Sequence, residues 1–400
     1  MSRKKTDIKN VSYDDVKKLY YVTLYYGTDE NNKPIKKTVT CKTKPEAKNI
    51  IKTFEADKIK DEVVKPKNET LEEWLDYWLE KVVKPINEST TYCGYKAIIN
   101  HIKDADIGKI QIQKLTPKDI QEYFQYKLTT PPKGKKEPLS TNTVKKHYVL
   151  LRTALGLAKQ QDVIRNNPME KVVPPKYVKP KINFYNLEQL QKLFSLSEGT
   201  LLEPAVYLAG MLGLRREEIS GLKWKNVDLK ENIIIIDEVA VRADNDVIKK
   251  APKTSTSIRK LIIPDLLRNV LERVNNQQIE NRKTYLKEEA NDNSNINENE
   301  YVVSNLNGEP LNPAHLSSMF AKFIKKNNLP DISLRGLRHS VASVANASGV
   351  TLYDISKMLG HASPDITGKV YVEVFDKHNE KAVNSVADAI GNKMNNINTN

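Results

Sequence analysis

Three arginines interrupt segments of the sequence that are otherwise apolar enough to be buried. Arg215 follows a Gly-Leu pair in LAGMLGLRREEISGLKW, and Arg335 and Arg338 lie three positions apart in ISLRGLRHSVASVANASGV. Because a guanidinium group keeps its charge, an arginine near a core needs an anionic partner. Glu218, one helical turn beyond Arg215, is one candidate partner and would make that arginine structural. A phosphate is the other, since two guanidinium groups on one phosphoryl group would stabilise its transition state.

A histidine and a tyrosine follow in the stretch LGHASPDITGKVY. His361 comes directly after a glycine typical of a helix end, and Tyr371 comes ten residues later. The stretch alone assigns no chemistry to either side chain. The sequence contains no G-x-x-x-x-G-K-[ST] loop, no H-E-x-x-H and no Cys/His cluster, so we predict no cofactor and no metal.

The order of these motifs is more specific than any one of them. Arg215 and Glu218 come first, followed by a Pro-Lys-Thr segment with Lys253, then LRGLRHS, then LGH and the tyrosine. This order resembles that of the tyrosine recombinases, also called phage-type integrases, and the resemblance covers the whole chain. The layout is most similar to integrases of conjugative transposons and temperate phages.

The resemblance implies a role for each of these side chains. Tyr371 would attack a DNA phosphodiester and form a 3′-phosphotyrosyl bond, which conserves the bond energy without ATP. Arg215 and Arg338 would hold the non-bridging oxygens, and His361 would hydrogen-bond the phosphoryl group. Lys253 would protonate the leaving 5′-oxygen as general acid.

Arg335 departs from the family pattern, which most often has histidine at this position. An arginine donates hydrogen bonds but cannot act as a general base near neutral pH. We therefore expect Arg335 to stabilise charge in the active site and not to accept a proton. His339 also matches the family, and we expect it to be structural.

The resemblance divides the chain into three domains with a multidomain α+β fold. Residues 1–66 would form an arm-type DNA-binding domain, 67–175 an all-α core-binding domain, and 176–400 the catalytic domain. In the first, the alternating segments LYYVTLYY and IKKTVTC predict strands, and the spacing of Thr43 and Glu46 predicts a helix start. A small three-stranded sheet with one helix is expected there.

The catalytic domain is predicted to be mixed and mainly helical, with a small antiparallel sheet. Helices are expected at 186–197, 202–212 and 215–222, followed by the strand NIIIIDE and a hairpin through KKAPKTSTSIRKLIIP. Lys253 would lie at the tip of that hairpin. A short amphipathic helix at 383–390 could bury its stripe in its own domain. In the family, such a helix docks on a neighbouring protomer and links four subunits on DNA.

Candidate DNA contacts lie on an N-terminal strand, on a helix of the core-binding domain and in the proline-rich linker 172–181. One core-binding helix is predicted to begin at Thr70, and two more are predicted to begin after the capping residues Thr116 and Ser140. The candidates are Lys36, Lys37, Thr38, Lys145, Lys146, Arg152, Lys176 and Lys179. Each lysine could instead contact only water, and residues 1–66 could be a solubilising appendage.

The composition suits a polyanionic partner. The chain has a formal net charge of +14 and a sequence pI near 9.3, although a lysine-rich cytosolic protein would show the same values. The two cysteines match no disulfide or metal spacing, and the sequence shows no signal peptide and no membrane span. We expect a cytoplasmic protein that binds double-stranded DNA and no membrane.

Together these features predict a site-specific recombinase that integrates and excises a mobile genetic element. It would act at attachment core and arm sites as a homo-tetramer, through a Holliday junction, with an accessory excision factor as a further partner. Two alternatives remain. One is a catalytically silent DNA-binding regulator on the same fold, and the other is a resolvase or invertase of the same family.

Overall fold

A computed structural model of the protein describes residues 3–29, 31–59, 63–179, 183–243, 246–250, 258–285, 300–305, 308–365 and 368. The chain forms two compact units, residues 1–179 and 180–400. Helices and small antiparallel sheets occur together, which confirms the α+β fold class. No helix within the described ranges is both long and apolar enough to cross a membrane.

The first unit begins with a four-stranded antiparallel sheet whose strands pair in sequence order. Its elements are β1 (Lys4–Lys5), β2 (Val11–Asp14), β3 (Leu19–Thr28), β4 (Pro34–Cys41) and the helix α1 (Lys44–Ile59). Alternation along β3 places Val22 and Leu24 on one face, where they pack in one core with Ala47 of α1. The predicted capping box forms, because the Thr43 hydroxyl accepts from Glu46 N and the Glu46 carboxylate accepts from Thr43 N, both at 3.4 Å.

The prediction of three strands is wrong by one. β1 has two residues and β2 has four, and segments this short show too few alternations to be recognised in a sequence. They are strands because of their pairing, Lys4 with Tyr13 and Val11 with Val22.

The rest of the first unit is helical around a separate apolar core. Its helices are α2 (Leu71–Tyr77), a π-helical turn (Trp78–Val83), α3 (Lys84–Ile86), α4 (Ser89–Lys103), α5 (Pro117–Thr129) and α6 (Thr141–Gln160), with 3₁₀ turns at Asp106–Lys109, Ile112–Lys114 and Pro168–Lys171. The side chains of Thr116 and Ser140 cap α5 and α6, as predicted, and Thr70 caps α2, which begins where expected. Trp74 and Phe124 are among the largest buried side chains of this core.

In the described part of the second unit, helices and two small sheets pack around a large apolar core, with a smaller apolar cluster between α12 and α13. Its helices are α7 (Leu187–Ser197), α8 (Glu203–Leu212), α9 (Arg216–Gly221), α10 (Asp265–Tyr285), α11 (Pro313–Lys326), α12 (Leu334–Ala347) and α13 (Leu352–Leu359). Its strands are β5 (Val227–Asp228), β6 (Ile233–Ile236), β7 (Val239–Ala243), β8 (Asp246–Lys250) and β9 (Arg259–Ile262), with a 3₁₀ turn at Trp224–Asn226. The order β5-β6-β9 forms one antiparallel sheet, and β7 and β8 form the other.

The predicted hairpin through residues 249–264 is wrong in its pairing. β8 pairs with β7, whereas β9 pairs with β6 in the other sheet. The four consecutive isoleucines of β6 explain this choice, because they offer a buried face to which Leu261 of β9 can add. Lys253, the expected tip residue, lies outside the described residues.

Candidate active site

Arg215, Arg338 and His361 come together around the turn that follows α13. Arg215 caps the start of α9 and donates from Nη2 to the Gly360 carbonyl at 3.1 Å. Arg338, on α12, donates from Nη2 to the Leu359 carbonyl at 2.5 Å. His361 directly follows Gly360 in the chain. Three separated segments therefore bring Arg215, Arg338 and His361 to one site.

Two glycines allow this close approach. Gly213 ends α8 and Gly360 ends α13, and both have φ near +64°, in the left-handed region that glycine adopts without strain. A Cβ on Gly213 would lie 2.4 Å from Leu359 Cδ2, so the absence of a side chain lets the start of α9 approach the end of α13. The Gly213 carbonyl also accepts from Arg338 Nη1 at 2.7 Å.

Glu218 pairs with Arg215, as one interpretation of the sequence predicted. Its carboxylate is buried and accepts from Arg215 Nη1 at 2.7 Å and from the Arg215 backbone N–H at 2.8 Å. Arg259 donates to the same carboxylate through both of its terminal nitrogens, at 3.0 and 2.9 Å. Burial acts to raise the pKa of Glu218, but the hydrogen bonds and charges of the two arginines outweigh it and lower the pKa below its ordinary value.

The arginines of the site place positive charge near His361. Burial and the charges of Arg338 and Arg215, with smaller contributions from His339 and Arg259, lower the pKa of His361 to about 3. His361 is therefore neutral at pH 7 and can offer a ring N–H as a hydrogen-bond donor. Burial is the largest cause of this shift and favours no ion, but the arginine charges that add to it also attract an anion such as a phosphodiester.

Arg335 and Arg338 have different environments although they lie one turn apart on α12. Arg338 is 4% exposed, whereas Arg335 is exposed in the first turn of the helix. Among the described residues, no side-chain hydrogen bond or ion pair involves the Arg335 guanidinium group. Burial and the charges of these two arginines lower the pKa of His339 to about 4, so this buried histidine is neutral at pH 7.

Two further predicted catalytic residues lie outside the described residues. Lys253 lies in the range 251–257 and Tyr371 in the range 369–400, both outside the described residues. The predicted helix at 383–390 also lies outside them. Their roles stay predictions.

The candidate DNA contacts on β4 divide between the two faces of the sheet. Lys36 and Thr38 are exposed on one face, where the Lys36 ammonium lies 5.2 Å from the ring centre of Tyr25 on β3. Lys37 is also exposed, but it pairs with Leu24 and therefore lies on the face that carries α1. Lys36 and Tyr25 therefore form an aromatic and basic surface on the face opposite α1.

The other candidates lie on α6 and in the segment that follows the helical core. Lys146, Arg152, Lys176 and Lys179 are exposed, and Lys145 is half-buried with its ammonium 5.4 Å from the Tyr177 ring.

The end of the predicted linker is attached to the helices of the first unit. The Asn142 side chain donates to the Val178 carbonyl at 2.6 Å and accepts from Val178 N at 3.0 Å. Gln121 of α5 accepts from Val173 N at 3.1 Å. Residues 173–178 are therefore held at the surface of α5 and α6, a detail that the proline-rich sequence did not indicate.

Sequence reasoning missed Arg259 at the active site. Its segment RKLIIP was interpreted only as a strand, with no role for the arginine. Along that segment Leu261 and Ile263 are buried, so Arg259 occupies an inward position of the same alternation. The sequence signal that could have identified Arg259 was a charged residue at an inward position of a strand.

Family comparisons match both units. The phage integrase family matches residues 184–378, and the phage integrase SAM-like domain matches residues 70–174. The chain belongs to the phage integrase family of tyrosine recombinases, enzymes that cleave and rejoin DNA strands, and it is a site-specific recombinase of the integrase type. The resemblance inferred from the motif order is thereby confirmed.

Curated relatives have matching names. A protein named tyrosine recombinase XerC-like, from Caldanaerobacter subterraneus subsp. tengcongensis, is 27% identical over 97% of this chain and 99% of its own length. The ICEBs1 integrase of Bacillus subtilis is 26% identical over 75% of this chain and 78% of its own length.

Solved structures show the same fold. The Tn1549 transposon integrase in complex with a circular intermediate DNA has a TM-score of 0.60 at 19% identity, covering 75% of this chain and 94% of that chain. A lambda integrase tetramer bound to a Holliday junction has a TM-score of 0.55 at 17% identity, covering 90% and 97%.

Proposed function

We propose that this recombinase integrates and excises a mobile genetic element through a 3′-phosphotyrosyl intermediate and a Holliday junction. The observation that carries the proposal is the convergence of Arg215, Arg338 and His361 on the turn at Gly360. Two guanidinium groups and a neutral imidazole donor suit the non-bridging oxygens of a phosphodiester. The transposon integrase of similar fold supports the mobile-element assignment.

The reaction needs one nucleophile and one general acid. The Tyr371 hydroxyl oxygen bonds to phosphorus and releases its proton to water, the bond to the 5′-oxygen breaks, and Lys253 gives a proton to that oxygen. Arg215, Arg338 and His361 stabilise the charge that develops on the phosphoryl oxygens. A 5′-hydroxyl of a second strand reverses the step, so no nucleotide cofactor is consumed. Arg335 adds positive charge at the edge of the site.

The DNA would be contacted by three domains with the predicted boundaries 1–66, 67–175 and 176–400. The first domain would bind arm sites through the sheet face with Lys36 and Thr38, and Lys37 would contribute from the opposite face. Core sites would be bound by Lys145, Lys146, Arg152, Lys176 and Lys179. Because these contacts neutralise phosphates, we expect affinity to fall steeply as salt rises.

The assembly on DNA would be a homo-tetramer in the cytoplasm, linked through the predicted helix at 383–390. The lambda integrase tetramer on a Holliday junction supports this stoichiometry, since it shares the fold over 90% of this chain. An accessory excision factor would set the direction of the reaction.

Adduct mapping tests the proposed function. The full chain is incubated at low salt with fragmented DNA of its own element, quenched with SDS, and digested with nuclease and trypsin. We expect mass spectrometry to find nucleotide on the Tyr371 peptide and none in Tyr371→Phe, which should still bind DNA. DNA binding without an adduct on any tyrosine would instead support the silent regulator.

A resolvase or invertase of the same family is the second candidate, because the relative that matches over 99% of its own length is named a tyrosine recombinase and not an integrase. The two functions differ in whether they need residues 1–66. Deletion of these residues should spare cleavage at the core site and abolish integration into a second DNA molecule. Unchanged recombination between two core sites, with no integration by the full chain, would favour the resolvase.

A further inference from the structure

Arg259 is a buried arginine that the predicted active site does not include. It pairs with Ile236 in the sheet, and its side chain is 7% exposed. A buried cation requires charged or multiple hydrogen-bond partners. Among the described residues, Arg259 donates to Glu218 of α9, the helix that Arg215 caps, and to the Met358 carbonyl of α13, the helix that precedes His361.

Arg259 shares the Glu218 carboxylate with Arg215. Its two terminal nitrogens donate to the two carboxylate oxygens at 3.0 and 2.9 Å, in the bidentate geometry that a guanidinium forms best. Arg215 donates to one of the same oxygens at 2.7 Å. One negative charge therefore lies between two positive charges, so Arg215 is only partly neutralised by Glu218.

Arg259 also belongs to a set of three arginines that hold the end of α13. Its Nε donates to the Met358 carbonyl at 2.9 Å, and the next two carbonyls, of Leu359 and Gly360, accept from Arg338 and Arg215. The last carbonyls of a helix have no intrahelical donor and carry partial negative charge, which guanidinium groups satisfy. The backbone that leads into His361 is thereby fixed by three guanidinium groups.

We propose that Arg259 is a positioning residue for strand cleavage, acting through Glu218 and through the end of α13. The inference rests on the proposed function. By sharing the carboxylate, Arg259 weakens the hold of Glu218 on Arg215, which then keeps its charge for the phosphate. By holding the Met358 carbonyl, it keeps His361 in place. Without Arg259, the Glu218 carboxylate would neutralise Arg215 alone.

The test measures the rate of covalent adduct formation by the full chain on a DNA duplex that carries the core sequence captured by adduct mapping. Arg259→Met removes the charge and keeps an apolar stem. We expect adduct formation to slow about tenfold or more, while the Kd for the duplex changes by less than about threefold. The control is Arg268→Met, which removes an arginine paired with Glu272 on the surface of α10 and should cleave at the wild-type rate.

The deciding variant combines Arg259→Met with Glu218→Gln. Glutamine keeps an acceptor for Arg215 but has no charge. The double variant should therefore form the adduct at least about threefold faster than Arg259→Met alone. Glu218→Gln in the wild-type background should slow cleavage, because the bidentate hydrogen bonds from Arg259 are weakened. A general folding defect would not produce this reversal of sign.

Two results would overturn the positioning role. One is wild-type cleavage by Arg259→Met, and the other is a slow single variant that Glu218→Gln does not relieve. If Arg259→Met does not fold, Arg259→Lys is measured instead. Lysine keeps the charge but loses the bidentate pairing with Glu218 and the hydrogen bond to the Met358 carbonyl. Slower cleavage with unchanged DNA binding supports the role, and wild-type cleavage contradicts it. If the wild-type chain itself forms no adduct, the proposed function fails first.

Discussion

Each unit buries a polar cluster, and the two clusters solve the problem of burial differently. In the first unit, the histidine cluster consists of Tyr123, His147 and the neighbouring His101. The Tyr123 hydroxyl and His147 Nδ1 lie 2.8 Å apart, and both side chains are buried. Burial is the largest cause that lowers the pKa of His147 to about 4, so His147 is neutral at pH 7.

In the second unit, the guanidinium cluster consists of Arg215, Glu218, Arg259 and Arg338. Its arginines cannot become neutral, so their charges remain and are met by one carboxylate and by helix-terminal carbonyls. A neutral pair can be buried with a single hydrogen bond, whereas buried charges need several charged or hydrogen-bonding partners. The comparison teaches that the charged cluster is the one that suits an anionic substrate.

The largest expected effect comes from breaking the guanidinium cluster at its carboxylate. Glu218→Ala leaves Arg215 and Arg259 facing each other without a negative charge, so we expect a loss of about 3–5 kcal/mol of unfolding free energy. Urea unfolding of the full chain measures it. Glu272→Ala, which removes the exposed partner of Arg268, should cost less than about 1 kcal/mol. Equal losses in the two variants would mean that the buried cluster contributes no more than a surface pair.

Gly213→Ala tests the packing that brings the arginines to the end of α13. The new Cβ would meet Leu359 at 2.4 Å, and the residue would remain at φ +64°, so we expect destabilisation of about 2–3 kcal/mol. The control is Gly349→Ala, with φ +87° but no atom within 4 Å of the added Cβ. Only the backbone cost of about 1 kcal/mol should remain there. Equal costs would show that Leu359 moves aside freely.

Mild acid tests the histidine cluster, because His147 is buried there in its neutral form. The pKa of His147 is about 4 in the folded chain and near 6.5 when unfolded, so the unfolded state binds the proton first. Stability is therefore full above pH 6.5 and falls as the pH decreases towards 4, with a loss of about 2 kcal/mol between pH 7 and 5.

Hydrogen exchange of α6 peptides, read by mass spectrometry between pH 7 and 5, measures this loss after correction for the intrinsic exchange rate. His147→Gln removes the titrating group and should flatten the dependence for these peptides. An unchanged slope in His147→Gln would assign the acid sensitivity to other groups.

The smallest expected effect comes from the single hydrogen bond of the histidine cluster. Tyr123→Phe removes the hydroxyl that is hydrogen-bonded to His147 Nδ1. We expect urea unfolding to show a loss of about 1 kcal/mol of unfolding free energy. Tyr126→Phe, on the same helix but exposed, should change stability by less than about 0.5 kcal/mol. A loss in Tyr123→Phe as large as in Glu218→Ala would remove the contrast between the clusters.

Helix starts were predictable because their signals are local. Thr70, Thr116 and Ser140 each cap a backbone N–H three residues away, so a short stretch of sequence contains both partners. Strand pairing was harder. β9 could pair with its neighbour in sequence or with β6, and the choice depends on a buried face formed by distant residues.

The sequence by itself determined the order of the motifs, and that order indicated the family and the residue types of the site. It also contained the pairing of Arg215 with Glu218, since three helical positions bring them together. Only the tertiary structure decided which arginine belongs where. Arg338 is buried and Arg335 exposed although both lie in the same short motif. Arg259 joined the site only because β9 added to β6. This pairing brought its guanidinium to the Met358 carbonyl, 99 residues further along the chain, which no local pattern specifies.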